Sequence, residues 1–577
     1  MHKYEIAHVL RIIAALLALK GEAVFKVRAY EKAAHSIEHG DFDLELLARE
    51  GRLTEIPGIG RNLEPKIDEL ITTGRSTFLE SLAEEVPMGL LEVVKVPGIG
   101  PKTARTLYET LGVTDLDTLE DAVRANLIRT VPRLGARREA LIGQGLEEIM
   151  KYSGRVTFGL ALPAAKYILG MFAGGGVSGS IVGEVRRSLE TVSSVEILLE
   201  TESNAQLVEQ STAKDIGYFS SADLWNKAWS DEEQAFVLAS NLGVPLKIHV
   251  ARASQFAWKQ LVLTGPSSFS GWLERLAESK GYVVAEEGLM KGGRAVAAAS
   301  EADVFKALNI TFIPPEVRHN TECRQMALAN QAIEPVKLSD IKGDLHVHTT
   351  WSDGLASIEQ MVKKAVELGY SYIAITDHAT RIKIIDGLDP GRIEAQIEEI
   401  EKVSVRYPQI RILSGVEVDI LKDGSLALPD DTLAKLDIVV ASIHQDIGGA
   451  GQSVVSRLAR AASNPYVDII GHPTGRLIGR RPGNSKGFHE LFKIAAASNT
   501  VLEINASPDR LDLSDELARA AEPFGVRFAV CTDAHSVSGM DDMVFGTAAS
   551  ARRAGLTPES VINAQPLETW FPVKGNR

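Results

Sequence analysis

Hydrophobic and polar positions change period along the 577-residue chain, and each change marks a different architecture. Over residues 1–150 the apolar positions recur at three- and four-residue spacing, which predicts short amphipathic helices. The run Ile12–Leu19 is bracketed by Arg11 and Lys20, so it reads as one such helix and is too short to span a bilayer. From about 155 to 310 short β-like runs, "SVEILLE" and "VPLKIHV" among them, alternate with helical stretches and predict an α+β unit. Residues 321–340 read as a linker. Beyond it, near-continuous apolar runs alternate with helical patterns: "YIAITDHA", "RILSGVEVDI", "DIVVASIHQ", "VDIIGHPTGR", "TVLEINA" and "RFAVCTDAHS". Strand then helix, repeated, predicts parallel strands in an α/β barrel or a doubly wound sheet.

Three related turns punctuate the helical region: "EIPGIGRNLEPKI", "KVPGIGPKTARTL" and the weaker "TVPRLGARREALI". Glycine lets backbone approach a phosphate, and the helix that follows offers free amides and the positive end of its dipole. Gly58, Gly60, Gly98, Gly100, Lys102 and Thr103 are therefore candidate contacts to a DNA backbone. Two ordinary αα-hairpin turns would use glycine as well; duplication of the motif favours DNA.

Charge bears on the choice of partner. The net charge is −14, and residues 1–150 hold more Asp and Glu than Lys and Arg, which excludes a nonspecific polycation. Any contact with nucleic acid must come from local geometry. Cys323 and Cys531 provide no disulfide framework and suit a reducing cytoplasm. The expectation is a cytoplasmic, nucleoid-associated protein with no membrane partner, its oligomeric state left open by the sequence.

The strongest chemistry lies where the apolar runs of the last region end. His346 and His348 follow the first and Asp353 lies in the next loop; His378, Glu417, His444 and His472 end the next four, and Asp533 and His535 end the last. In a parallel α/β architecture those ends share one face. A lone histidine at a strand end is more often a hydrogen-bonded structural group. Here six of the 13 histidines fall at such ends beside three carboxylates, and nine N/O donors suit divalent zinc or manganese.

These motifs, "GDLHVHTTWSDG", "ITDH", "GVEVDI", "ASIH", "GHPTGR", "LEINASPDR" and "CTDAHS", resemble those of a PHP (polymerase and histidinol phosphatase) domain over about residues 341–577. The resemblance implies a distorted (β/α)7 barrel with three divalent metals. It assigns His346, His348, Glu417 and Asp533 to one, Glu417, His444 and His472 to a second, and Asp353, His378 and His535 to the third. Such metals lower the pKa of a bridging water and polarise a phosphoryl oxygen. Arg476 and Arg510, next to ligand motifs, are candidate phosphate clamps.

Residues 1–340 resemble a bacterial-type family X DNA polymerase. "KGEAVFKVRAY" and the first hairpin match its small N-terminal domain (1–85), and the second hairpin its fingers (86–152). "GSIVGEVRRSLETVSSVEILLE" and "FIPPEVR" match a nucleotidyltransferase-like palm (153–250) and a thumb (251–320). By the same resemblance Lys66 aligns with a lysine that forms a Schiff base with an abasic sugar; an exposed helix lysine is the plain alternative. The chain departs from the family at the polymerase site. Ser194 and Glu196 stand where an Asp-x-Asp pair belongs, and Lys247 where a third aspartate belongs. Magnesium held in the palm, and with it nucleotidyl transfer, is not expected. The sequence thus points to a metal-dependent 3′→5′ exonuclease or abasic-site endonuclease acting in repair on gapped, abasic or 3′-end DNA. A small-substrate phosphomonoesterase, a noncatalytic DNA-end scaffold and an active gap-filling polymerase remain alternatives.

Overall fold

The computed structural model describes residues 3–40, 42–174, 176–202, 229–230, 235–238, 243–285, 288–380, 387–445 and 451–571. The chain forms two compact units: Met1–Val156 with Asn241–Gly243 and Arg476–Pro482, and Thr157–Ser240 with Val244–Gly475 and Gly483–Arg577.

The first unit is helical. In the helix Lys3–Lys20, Ile6, Leu10, Ile13 and Leu17 line one stripe at four- and three-residue spacing, and all are buried. Among the described residues no helix is long and apolar enough to cross a membrane. One apolar cluster runs from Ile6 to Ile149, so the expected division at 85/86 leaves no gap in the core. The three recurrent turns share one backbone path. Ile59 N–H donates to Ile56 (3.0 Å), Ile99 to Val96 (2.9 Å) and Leu134 to Val131 (3.0 Å), and all three donors bury their side chains. Gly58 (φ +93°) and Gly98 (φ +91°) take left-handed conformations that glycine adopts without strain. The third turn places Arg133 in that slot at φ +70°. It looked weaker in sequence because it lacks the glycine, yet the chain turns the same way there.

In the second unit a palm-like sheet comprises β1 (Gly179–Val182), β2 (Val195–Glu200), β3 (Trp229–Ser230), β4 (Ala235–Leu238) and β5 (Leu246–Ala251), in the order β1-β2-β5-β4-β3. Strands β2 and β5 run parallel, with Glu196 opposite Lys247. A thumb follows, built from the helices Ala253–Thr264 and Ser267–Ser279, the antiparallel strands β6 (Val283–Ala285), β7 (Gly288–Lys291) and β8 (Arg294–Ala295), and the helix Glu301–Ala307. The segment expected to be a linker begins instead with a helix, Thr321–Leu328, whose Cys323 and Ala327 pack into the thumb core beside Trp258 and Phe269. Periodicity over eight residues was too brief to reveal it. Arg318, fully buried, and Arg186 both grip Glu301 with two hydrogen bonds each, at 2.7 to 3.1 Å.

The rest is a nearly closed barrel of seven parallel strands. They are β9 (Gly343–Val347), β10 (Tyr372–Ile375), β11 (Arg411–Asp419), β12 (Ile438–Ser442), β13 (Ile469–Ile470), β14 (Val501–Asn505) and β15 (Phe528–Cys531), in chain order. A parallel bridge from Val347 to Ala534 brings the last strand back to the first. Alternation along each strand separates two surfaces. Ile412, Val416 and Val418, with Leu502 and Ile504, face the outer helices. Leu413, Ile438, Val440, Ile469, Val501, Ala529 and Cys531 fill the barrel floor. Continuing the inner column by twos leads from Leu413 to Glu417 and Asp419, from Val440 to His444, from Val501 to Glu503 and Asn505, and from Cys531 to Asp533 and His535. Each strand is apolar at the floor and polar at the rim. That gradient builds the site.

Candidate metal centre

Strand β9 departs from simple alternation. Its register against β10 slips between Asp344 and Val347, so one extra residue is accommodated and both Leu345 and His346 face inward. His346 therefore lies within the strand, not after it, and His348 follows two residues later on the same side. Gly471 on the inner column leaves room beside them, because a Cβ there would meet Ser442 Oγ at 2.3 Å.

Eight further side chains meet His346 around Glu417. Its Oε1 lies 3.0 Å from His472 Nε2 and 3.3 Å from His444 Nε2. Its Oε2 lies 2.6 Å from His378 Nδ1, 3.6 Å from His346 Nε2 and 3.7 Å from His348 Nε2. Asp533 Oδ1 approaches His348 Nε2 at 3.1 Å and His346 Nε2 at 3.7 Å. Asp353 Oδ1 joins His535 Nε2 at 3.4 Å and His378 Nε2 at 3.6 Å. All nine residues singled out in the sequence are thus brought together. Three sets offer donors mutually within 4.8 Å: His348, Asp353, His378 and His535; His346, His348 and Asp533; His378, Glu417 and His444. The division differs from the one the resemblance implies: His348 and His378 each fall in two sets, Glu417 in one, and His472 in none.

Hydrogen bonding tests whether cations fit. His346 Nε2, both ring nitrogens of His348, His378 Nδ1, Glu417 Oε2 and His472 Nδ1 are buried without a hydrogen-bond partner. Such atoms cost about 1–3 kcal/mol each when left unsatisfied. Divalent cations would satisfy most of them at once, and the donor chemistry suits zinc or manganese.

Electrostatics agrees. Burial disfavours charge on His346, but Glu503, Glu417 and Asp533 outweigh it and raise its pKa well above the imidazole range. Against the same burial, Glu417 and Asp419 push His444 up to about 10, and Asp353 and Asp533 push His535 up to about 9. His348 is pushed down to about 3 by burial and by its neighbours His535 and His378. Burial also opposes ionisation of Glu417, Asp533 and Asp353, and the surrounding histidines reverse it, holding all three below the carboxylate range. These carboxylates attract positive charge, which a divalent cation held by His346, His444 or His535 would supply in place of histidine protons.

Four residues of the centre went unnoticed in the sequence. Glu503 accepts from His346 Nδ1 (2.7 Å), and Asp419 from His444 Nδ1 (2.7 Å). Asn505 donates to Asp533 (3.1 Å), and Asp377 accepts from Thr349 and Gln396. The signal was an acidic or amide residue inside an apolar run, two residues from another inward position, as in "LEIN" and "VEVD". Of the two arginines expected at the rim, Arg510 Nε lies 3.9 Å from Asp533 Oδ2. Arg476 falls in the helical unit, outside the unit that carries the nine side chains.

The palm offers a different picture. Ser194 Oγ donates to Glu196 Oε1 (2.6 Å), and His249 Nε2 lies 3.3 Å from Glu196 Oε2. Burial opposes ionisation of Glu196, but His249, Ser194 and Lys247 lower its pKa. Glu196 thus faces a histidine and a lysine, and β5 carries no acid. In the helical unit, Lys66 Nζ lies 2.6 Å from Tyr30 Oη and 3.3 Å from the centre of the Phe78 ring; burial and Lys26 lower its pKa. Gly60 and Gly100 face open space, Lys102 is exposed and Thr103 half-buried.

Comparison with known proteins agrees with this architecture. A PHP domain model matches residues 344–507, a helix-hairpin-helix domain 1–76, a SAM-like helix-hairpin-helix tandem 90–148 and a DNA polymerase beta thumb 260–329. The DNA polymerase/3′-5′ exonuclease PolX of Bacillus subtilis (strain 168) is 35% identical over 98% of both chains. Over the barrel, a probable phosphatase of Thermoanaerobacter sp. (strain X514) is 32% identical, covering 38% of this chain and 89% of its own. A probable phosphatase of Syntrophotalea carbinolica is 29% identical, covering 40% and 95%. By near full-length identity to the Bacillus protein, the chain belongs to the bacterial PolX family, in which a PHP domain follows a family X polymerase architecture.

Proposed function

We propose that the protein is a metal-dependent DNA phosphodiesterase of repair, a 3′→5′ exonuclease, whose polymerase activity has been lost. The observation that carries this reading is the convergence of nine N/O side chains, Glu417 central among them, with orphaned buried atoms aimed at one another. His346, His348, Asp353, His378, Glu417, His444, His472, Asp533 and His535 would hold up to three divalent cations, zinc or manganese. Bound cations supply Lewis-acid activation of water and of a phosphoryl oxygen. The protein's part is to fix these donors on rigid strand ends and exclude competing water from the floor. Arg510, whose Nε lies 3.9 Å from Asp533 Oδ2, would take a phosphate oxygen of the strand.

The hairpin turns around Gly58 and Gly98 would grip the DNA backbone, which gives the helical unit a purpose that a small-molecule phosphatase lacks. The same centre would suit abasic-site incision and removal of 3′-blocking groups. In the palm, Ser194, Glu196 and Lys247 do not assemble the carboxylates needed for two magnesium ions. The likeness of the barrel to probable phosphatases supports a second reading, phosphomonoester hydrolysis. One comparison separates them: turnover on a 3′-recessed oligonucleotide against a sugar phosphate. Replacing His346 and His348 together by alanine should abolish hydrolysis while DNA binding persists. Retained nuclease activity in that variant would defeat the assignment.

A further inference from the structure

The motif "LEINASPDR" contributes none of the nine donors, yet its strand carries a carboxylate into the middle of the centre. Glu503 is fully buried on the inner column of β14, between Val501 and Asn505. Three N–H groups converge on it: His346 Nδ1 at 2.7 Å, the His472 backbone at 2.5 Å and Asn505 Nδ2 at 3.3 Å. Backbone and amide nitrogens can only donate, and a carboxylate can only accept. The imidazole of His346 therefore presents its Nδ1–H to Glu503, so in the neutral ring that a cation requires the lone pair lies on Nε2. That nitrogen has no hydrogen-bond partner and faces Glu417 and Asp533. Asp419 repeats the arrangement on β11. It accepts from His444 Nδ1 (2.7 Å) and Thr380 Oγ1 (2.7 Å), and His444 Nε2 faces Glu417 Oε1.

We propose that Glu503 and Asp419 are positioning residues that fix the tautomer and ring orientation of His346 and His444, so that both Nε2 atoms aim at Glu417. Glu503 does more than Asp419, because it also holds the backbone of His472, which sits at φ +27°. It thereby ties strands β9 and β14 and the turn after β13 into one rigid rim. The inference rests on the centre being a metal site. Glutamine at 503 would turn an amide N–H either toward His346 Nδ1–H or toward the His472 and Asn505 N–H groups. The His346 ring can relieve that clash by moving its proton to Nε2, where it blocks ligation. Partners of this kind are worth tenfold to hundredfold in metal affinity.

The test uses the full-length protein, Glu503→Gln and Asp419→Asn. Each is stripped by chelator and titrated with Co2+ followed by visible absorption, and with Zn2+ by calorimetry. Glu503→Gln is expected to weaken the tightest binding at least tenfold and alter the Co2+ spectrum; Asp419→Asn should weaken one site only. In Zn2+-loaded wild-type protein labelled at histidine, long-range 1H–15N spectra should show His346 and His444 protonated on Nδ1. Variants that fold and bind Co2+ with unchanged affinity and spectrum would overturn the inference, even if activity or stability fell. Ligation through Nδ1 would overturn it whether or not the variants fold. Wild-type protein that binds no cation would defeat the metal reading itself, which separates the two failures.

Discussion

Replacing Glu417 by glutamine perturbs the centre with almost no change of shape. The carboxylate is buried and meets five imidazole nitrogens within 3.7 Å, two on one oxygen and three on the other. An amide keeps one acceptor oxygen and turns an N–H pair toward the remaining nitrogens. Merely losing a partner that orients a ligand lowers affinity or activity about 10–100-fold. Glu417 belongs to one donor set and its Oε2 lies 3.6 and 3.7 Å from His346 and His348 of a second, so the product of two such losses, about 10²–10⁴, sets the scale, and loss of a direct ligand places the effect at its upper end. A 10⁴-fold fall is about 5.4 kcal/mol in activation free energy. The assay is release of nucleotides from a labelled 3′-recessed duplex in Mn2+, with bound metal counted on the same preparation and DNA affinity measured by anisotropy. Nuclease rate and metal content should fall together, with DNA affinity unchanged. A variant within tenfold of wild type that binds less metal would refute the reasoning, because Glu417 would then not belong to the working site.

Other expectations follow from separate parts of the molecule. Glu301→Gln leaves two arginines, one fully buried, facing a neutral amide, and should cost about 3–5 kcal/mol in urea unfolding followed by tryptophan fluorescence. Burial opposes ionisation of Glu301, but Arg318 and Arg186 outweigh it and depress its pKa. Its contribution is therefore present above about pH 4.5, the ordinary glutamate range, and is lost as pH falls through the lower folded value; the glutamine variant should lack that slope. Arg510→Ala should raise KM for DNA more than it lowers kcat; the reverse would argue for a role at the reacting phosphate. Lys66, whose pKa is lowered by burial and Lys26, should be trapped by borohydride on incised abasic DNA, and Lys66→Ala should not; equal trapping would exclude it.

Much of this architecture was legible because buried parallel strands write themselves as apolar runs with polar ends. "VVASIH" and "FAVCTDAH" announce both the strand and the residues at its rim. The nine donors could be picked out since several histidines at strand ends are rare by accident. Glu503 and Asp419 were not, because a single acid in an apolar run looks like any satisfied structural polar group until the ring it orients is seen. The helix Thr321–Leu328 escaped notice for want of length, and Arg133 made the third turn look weaker by standing where the other two have glycine. Arg476, adjacent in sequence to the "GHPTG" motif, groups with the helical unit. Sequence proximity to a ligand says little about a side chain once the strand has ended.

The most direct measurement is a gapped duplex with a labelled primer strand, incubated with the full-length protein, Mn2+ and all four deoxynucleoside triphosphates. The account predicts progressive shortening of the primer from its 3′ end, abolished in the His346→Ala/His348→Ala variant, and no extension in either protein. Extension across the gap would contradict it, as would shortening that survives loss of both histidines.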